Sequence, residues 1–357
     1  MPFLLPSVSD VVPRDIKLHV GAYSHDGVKG IYPLTFRLGV DRFELARPDP
    51  AIENASFGVY SERHDVNYFV NECEEGLIGA YRHEGGVWRQ LAQVMSGGSA
   101  PCHLSLDPSE RFLAVANYGS GSVGLFALSE AGLLQAPAMV RQDRGVGPDP
   151  DRQAGPHAHC VRFYRGFLYH TDLGTDTVMA QNLREDPFIA WRSPPRQGPR
   201  HIVFHPGLPV AYVLTELGHS LFVCEVNDDG RLRTVQHASP LPQDFVGQSL
   251  GGHLDITATG DRLYASNRGH DSLAVFDIEG DGRVRLRQIA STHSASPRHF
   301  LRLEQHGRVI VAHQNGHSVV ALELAADGTI GEETARMAIN QPAFIAVGGG
   351  DAGAGGL

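Results

Sequence analysis

Residues 100–134 read APCHLSLDPSERFLAVANYGSGSVGLFALSEAGLL, and residues 198–232 read GPRHIVFHPGLPVAYVLTELGHSLFVCEVNDDGRL. The second stretch repeats the pattern of the first. Further copies are GPHAHCVRFYRGFLYHTDLGTDTVMAQNL from residue 155, GGHLDITATGDRLYASNRGHDSLAVFDIEGDGRV from 251 and SPRHFLRLEQHGRVIVAHQNGHSVVALELAADGTI from 296. A weaker one, ASFGVYSERHDVNYFVNECEEGLIGAYRHEGG, starts at 55. Each copy runs through an alternating strand, a turn, an apolar strand ending in Asn, Asp or Glu, a Gly turn and a third strand. A D-G type turn then leads into a fourth, less regular segment. Four antiparallel strands repeated at this period make a propeller blade. Two fragments remain, LHVGAYSHDGVKGIYPLTF at 18–36 and QPAFIAV at 341–347. Joined as one composite blade, they close the ring without an exposed edge strand. The prediction is an all-β, seven-bladed propeller over residues 17–347, with an N-terminal extension at 1–16 and a flexible tail at 348–357.

The composition agrees with many short elements. Gly (41) and Pro (22) together are too frequent in 357 residues for a helical bundle. A formal net charge of −10 argues against nucleic acid or an anionic membrane as partner, since both require a basic surface. The basic residues are nearly all arginine, Lys17 and Lys29 being the only lysines. Arginine suits carboxylate and phosphate recognition, although a general codon bias yields the same count. The start, MPFLLPSVSDVVPRD, has neither a basic region nor a sustained apolar run, so a cytoplasmic protein is expected. Cys73, Cys102, Cys160 and Cys224 are widely spaced, which suits buried free thiols in a reducing compartment. The sequence leaves the oligomeric state open.

In a blade the first strand lines the central channel and the second runs antiparallel to it. The start of one and the end of the other therefore share a face. The first column of residues at that face is Ser56, Cys102, His157, Arg200, His253 and Arg298. The second holds Asn71, Glu72, Asn117, Asp172, Glu216, Asn267, Arg268, Gln314 and Asn315. Polar groups in these columns predict a wet, charged pocket at one mouth. A side chain bonding its own backbone explains Asn117 and applies equally to Asp172. His157 and His159 point to one face of a strand, but no third ligand recurs at suitable spacing, so neither a metal nor a cofactor is expected. His64, His83, His237 and His306 fall in turns or outer segments and are expected in solvent. Arg200, Arg268 and Arg298 would meet at the mouth, either as a structural ion-pair set with the carboxylates or, the favoured reading, as a functional cluster. Two long Pro/Gly-rich joins, at 142–156 and 238–252, lie over the same mouth as lids or as ordinary linkers.

The motifs PHAH at 156, DLGTD at 172, GPRH at 198, TEL at 215, LPQDF at 241, SNRGHDS at 266 and SPRHF at 296 resemble the seven-bladed lactonase family. That family includes propeller-type bacterial 6-phosphogluconolactonases and fungal carboxy-muconate lactonising enzymes. The resemblance runs from VGAYS at 20 to QPAF at 341. It implies a catalytic set of His157, Arg200, Glu216 and Arg268. GGHLDI departs from the family pattern, placing His253 where an acid is usual and Asp255 where His is frequent. The implied reaction is metal-free hydrolysis of a small anionic lactone of the 6-phosphogluconolactone kind. His157 is the general base assisted by Glu216, Arg200 and Arg268 hold the oxyanion and carboxylate, and Arg298, His159, Asp172 and His253 bind substrate. The same residues serve lactonisation equally well, and a propeller that only binds a small anion or a protein partner is the alternative from another class.

Overall fold

The computed structural model describes residues 15–23, 30–49, 52–182 and 185–348. The expected N-terminal extension and C-terminal tail fall almost entirely outside these residues. Seven four-stranded antiparallel sheets form the seven blades of a propeller, as the repeat predicts. The composite blade takes Pro342–Val347 from the C-terminal end and pairs it with Ile16–Ala22, followed by Ile31–Arg37 and Arg42–Leu45. Among the described residues the single helical element is a 3₁₀ turn, Glu304–His306, and none is long and apolar enough to cross a membrane.

Within each blade the first three strands are nearly all buried, whereas the outermost alternates. Val210–Thr215 is buried throughout, while the outer strand Leu232–Ala238 turns Arg233, Thr234 and His237 to solvent. The apolar faces of adjacent blades pack on each other, as where Tyr169 and Val178 of one blade join Ile202, Val213 and Phe222 of the next in one cluster. A recurring latch accompanies this packing. The hydroxyls of Tyr68, Tyr169, Tyr212 and Tyr264, all in second strands, donate to the carbonyls of Gly132, Gly230, Gly282 and Gly328 in the tight turns of the following blades. A buried tyrosine needs a partner for its hydroxyl, and the turn glycine's carbonyl supplies it. The aromatic position and the D-G turn are thus parts of one inter-blade contact.

The innermost strands share an irregularity that shapes the mouth. Pro101, Ala158, Pro199 and Pro297 pair with the last residues of their second strands, Asn117, Asp172, Thr215 and His313. The next residue but one then resumes the ladder. One residue per blade is therefore bulged out of the pairing: Cys102, His159, Arg200 and Arg298, with Ala343 in the composite blade between Pro342 and Phe344. A bulge re-aims a side chain and commonly marks the rim of a closed sheet. In the blade that starts at Leu250 the shift falls between Gly251 and Leu254.

Candidate active site

Two rings of residues face the mouth. The first is the bulged set just described. The second consists of the residue following the second strand, whose backbone N–H reaches back to the chain entering the first strand. Tyr23, Glu72, Tyr118, Leu173, Glu216 and Gln314 make this bond, with acceptors Gln341, Asn54, Ala100, His157, Gly198 and Ser296. Arg268 takes the corresponding place opposite Leu250. These rings enclose a pocket of about 510 Å³, into which Cys102, His159 and Arg298 project from the first ring and Tyr23, Glu72, Tyr118, Glu216, Arg268 and Gln314 from the second.

Glu216 is the hub. Its Oε2 accepts from Arg200 Nε at 2.9 Å and Arg268 Nη2 at 2.7 Å, and its Oε1 accepts from Arg152 Nη2 at 2.6 Å. His159 Nε2 lies 4.0 Å from the same Oε2. Burial by itself would raise the Glu216 carboxyl, but the Arg268 and Arg200 guanidinium groups outweigh it and hold the group well below the usual carboxylate range. His159 is pushed well below an ordinary histidine, by burial first and by Arg200 second, so it stands as a neutral imidazole. Burial and the nearby Arg268 lower Arg200 to about 9. The Arg200 side chain is 3% exposed and does not line the pocket: it sits behind Glu216, its Nη1 bonding the Gly252 carbonyl and His201 Nε2. Arg268 lines the pocket while its Nε and Nη2 also bind the Gly251 carbonyl.

Arg298 differs from these. Its guanidinium lies 5.3 Å from the Tyr23 ring centre, Nη1 approaches Gln314 Oε1 at 3.4 Å, and among the described residues it has no carboxylate within ion-pairing distance. Tyr23 donates instead to Glu72 Oε2 at 2.8 Å. Arg152, Arg268 and Arg298 balance Glu72, Glu216 and Asp271 in the pocket lining, and Arg200 behind Glu216 adds one positive charge to the cluster within a chain of net charge −10.

Of the residues expected to catalyse or to bind substrate, Glu216, Arg268, Arg298 and His159 line the pocket, and Arg200 supports it from behind. Three others lie elsewhere. His157 precedes the bulge, corresponds in hydrogen bonding to Gly198, stacks on Tyr118 at 4.5 Å and bonds the Tyr118 carbonyl through Nδ1. The residue equivalent to Arg200 is His159, because His157 and Ala158 stand between the proline of PHAH and its bulge, whereas the bulge of GPR follows its proline directly. Asp172 is fully buried, and its Oδ1 accepts the N–H groups of His157, Gly174 and Thr175, the local backbone role weighed for it. A Cβ on Gly174 would lie 1.8 Å from the Gly155 carbonyl oxygen, so the DLGTD turn needs glycine to let this chain pass. His253 lies beneath the pocket, 4.1 Å from His299 between ring centres and 5.2 Å from His201. Asp255 pairs with Arg302 at 2.8 Å. Among those expected in solvent, His306 and His237 are exposed, His237 with its ring stacked on Phe222, whereas His64 and His83 are half-buried, His64 bonding the Glu110 carbonyl and His83 packing on Trp88.

The sequence reading missed two features. Arg152, in the long join at 142–156, is the third arm of the Glu216 hub. Beneath the pocket floor, the residue after each bulge forms a further layer, in which His103, His201, His253 and His299 adjoin Phe57, Phe344 and Cys160. Burial holds all four imidazoles well below their ordinary range, so the channel is plugged by neutral rings. Among the described residues no group of three or more His, Cys, Asp or Glu side chains is arranged to hold a metal ion.

A closed seven-bladed propeller with an arginine-bound glutamate beside a neutral histidine at one mouth defines the class, and residues 17–347 match the family model of the 7-bladed β-propeller lactonases. The chain belongs to that family. It is 32% identical over 317 residues to the 6-phosphogluconolactonase of Bacillus subtilis, covering 85% of this chain and 90% of that one. The periplasmic gluconolactonase of Pseudomonas aeruginosa superposes with a TM-score of 0.86 at 26% identity, over 94% of this chain and 99% of the other. A Lactobacillus plantarum protein shares the fold at a TM-score of 0.85 and 24% identity, with 94% and 99% covered.

Proposed function

We propose that the chain hydrolyses an anionic sugar lactone of the 6-phosphogluconolactone type in this pocket, with His159 as general base. Arg298 carries the reading: a half-buried guanidinium that lines the pocket and, among the described residues, has no carboxylate within ion-pairing distance is a place for the anion of a substrate. The names borne by the Bacillus and Pseudomonas relatives, one a phosphorylated and one an unphosphorylated sugar-lactone hydrolase, support the substrate class. The neutral His159 imidazole offers a ring nitrogen to a proton from water, and the Glu216 carboxylate 4.0 Å away favours the imidazolium against the burial and the Arg200 charge that oppose it. The base role expected of His157 passes to His159 in this reading, because His157 spends Nδ1 on the Tyr118 carbonyl outside the pocket lining.

The test is ring opening of 6-phosphogluconolactone, glucono-δ-lactone and a muconolactone, each corrected for spontaneous hydrolysis. The phosphorylated lactone is expected to have the highest kcat/KM. Arg298→Ala should lower its advantage over glucono-δ-lactone by about 10–100-fold, the worth of a charge-assisted contact. Acceleration of none of the three contradicts the proposal, and so does a preference for the uncharged lactone.

A further inference from the structure

Hydrolysis places negative charge on the lactone carbonyl oxygen, and the donors that receive it must be uncommitted and adjacent to the base. Arg200 is outside the pocket lining, with Nε on Glu216 and Nη1 on the Gly252 carbonyl and His201. Arg268 has Nε and Nη2 engaged by Gly251 and Glu216, and only Nη1 remains. Arg152 is different. Its Nη2 makes both of its bonds, to Glu216 Oε1 at 2.6 Å and to the Tyr118 hydroxyl at 3.3 Å. Among the described residues its Nε and Nη1 have no hydrogen-bond partner, and the side chain is 35% exposed and lines the pocket.

The loop that carries Arg152 is built to present it. Asp149 Oδ1 accepts the N–H groups of Asp151 and Arg152 at 3.1 and 3.2 Å. The next residue, Gln153, is fully buried. Its Nε2 donates to the Leu173 carbonyl at 2.9 Å, its Oε1 accepts from Asp149 N, and its backbone carbonyl accepts from Gly147. His159 and Arg152 also flank the two oxygens of one carboxylate, His159 beside Oε2 and Arg152 on Oε1. A carbonyl group seated over Glu216 thus has a base on one side and free guanidinium donors on the other.

We propose that Arg152 is a catalytic residue that receives the lactone carbonyl oxygen as it becomes an oxyanion. The inference rests on the lactonase reading above. Water attacks the carbonyl carbon through its oxygen while His159 takes its proton. The π pair moves onto the carbonyl oxygen, held by the Nε and Nη1 hydrogens of Arg152. When the pair returns, the ring C–O bond breaks, and the departing alkoxide takes the proton back from His159. The product is a hydroxy acid, and once ionised its new carboxylate occupies the same donors.

Arg152→Ala tests this against Arg298→Ala. Arg152→Ala is expected to lower kcat for glucono-δ-lactone and for 6-phosphogluconolactone alike, by about 10²–10³-fold, the cost of removing an oxyanion donor. Added guanidinium ion should restore part of the lost rate in Arg152→Ala, a rescue that a role confined to folding would not allow. Arg298→Ala should instead penalise the phosphorylated lactone. A loss in Arg152→Ala confined to KM for 6-phosphogluconolactone would make Arg152 an anion anchor and overturn the proposal, as would unchanged kcat for both lactones. Calorimetric titration with gluconate, whose carboxylate stands for the new product group, reads the site without turnover. Wild type should bind it at least about tenfold more tightly than Arg152→Ala, and equal affinity overturns the proposal. If wild type opens no lactone, the functional reading fails, and the gluconate titration still decides whether Arg152 binds carboxylate.

Discussion

Glu216→Gln is expected to cost both activity and stability heavily. The carboxylate is the common partner of Arg152, Arg200 and Arg268, and the last two side chains are 3% and 10% exposed. Removing one member of a buried charge cluster leaves the remainder uncompensated, which costs about 3–5 kcal/mol. The glutamine keeps the shape but turns N–H groups toward guanidinium groups that have nothing to accept. Thermal and urea melts should show the loss directly, and kcat/KM for 6-phosphogluconolactone should fall at least about 100-fold with the support of His159 gone. A variant as stable and as active as wild type would show that the hub contributes nothing. Replacing Glu216, Arg200 and Arg268 together by apolar residues of similar volume removes the charge problem. That protein should recover stability while remaining inactive, separating the two effects.

The second large effect is loss of stability in mild acid. His103, His159, His201, His253 and His299 are buried, and burial holds each well below its ordinary value. Burial likewise lowers His19 to about 3 and His313 to about 4. As pH falls through about 6.5, these histidines take up protons in the unfolded chain and not in the folded one. The unfolded state then binds more protons, so stability is fully present above that pH and is lost below it, at up to about 1.4 kcal/mol per pH unit for each histidine. Two groups act in the opposite sense. Burial raises Asp172 to about 6, and Asp143, outweighing burial, raises His170. Seven histidines outnumber them. With a net stability of about 5–15 kcal/mol to lose, cooperative unfolding is expected by about pH 5. Melting temperatures measured from pH 8 down to 5 should fall steeply below 6.5. A flat profile would contradict the buried neutral layer.

The fold was legible because blade repeats announce themselves in alternating strands and D-G turns, and the split blade follows from the two unmatched ends. The mouth was legible to within one or two residues. Asp172 and Glu216 both looked like strand-end acids, yet register places Asp172 on the last strand residue and Glu216 one beyond it, so one caps its own backbone and the other faces the pocket. An offset of two residues separates His157 from His159. A bulge has no residue signature of its own: Cys102, His159, Arg200 and Arg298 share only their place in the ladder. The histidine layer did leave a trace, since CHL, RHI, GHL and RHF align His103, His201, His253 and His299 once GGHLDI is moved by one position. Arg152 left no trace in the repeat because it sits in an inserted join, and only the hydrogen bonds of Asp149 and Gln153 show that the join is a built part of the site.

The most direct test of the site is a comparison of His159→Gln with His157→Gln in 6-phosphogluconolactone hydrolysis, both variants first shown to melt like wild type. If the bulged ring holds the base, His159→Gln loses about 10²–10⁴-fold in kcat and His157→Gln stays within a few-fold of wild type. The reverse order, with His157→Gln inactive and His159→Gln active, would contradict the placement of catalysis beside Glu216.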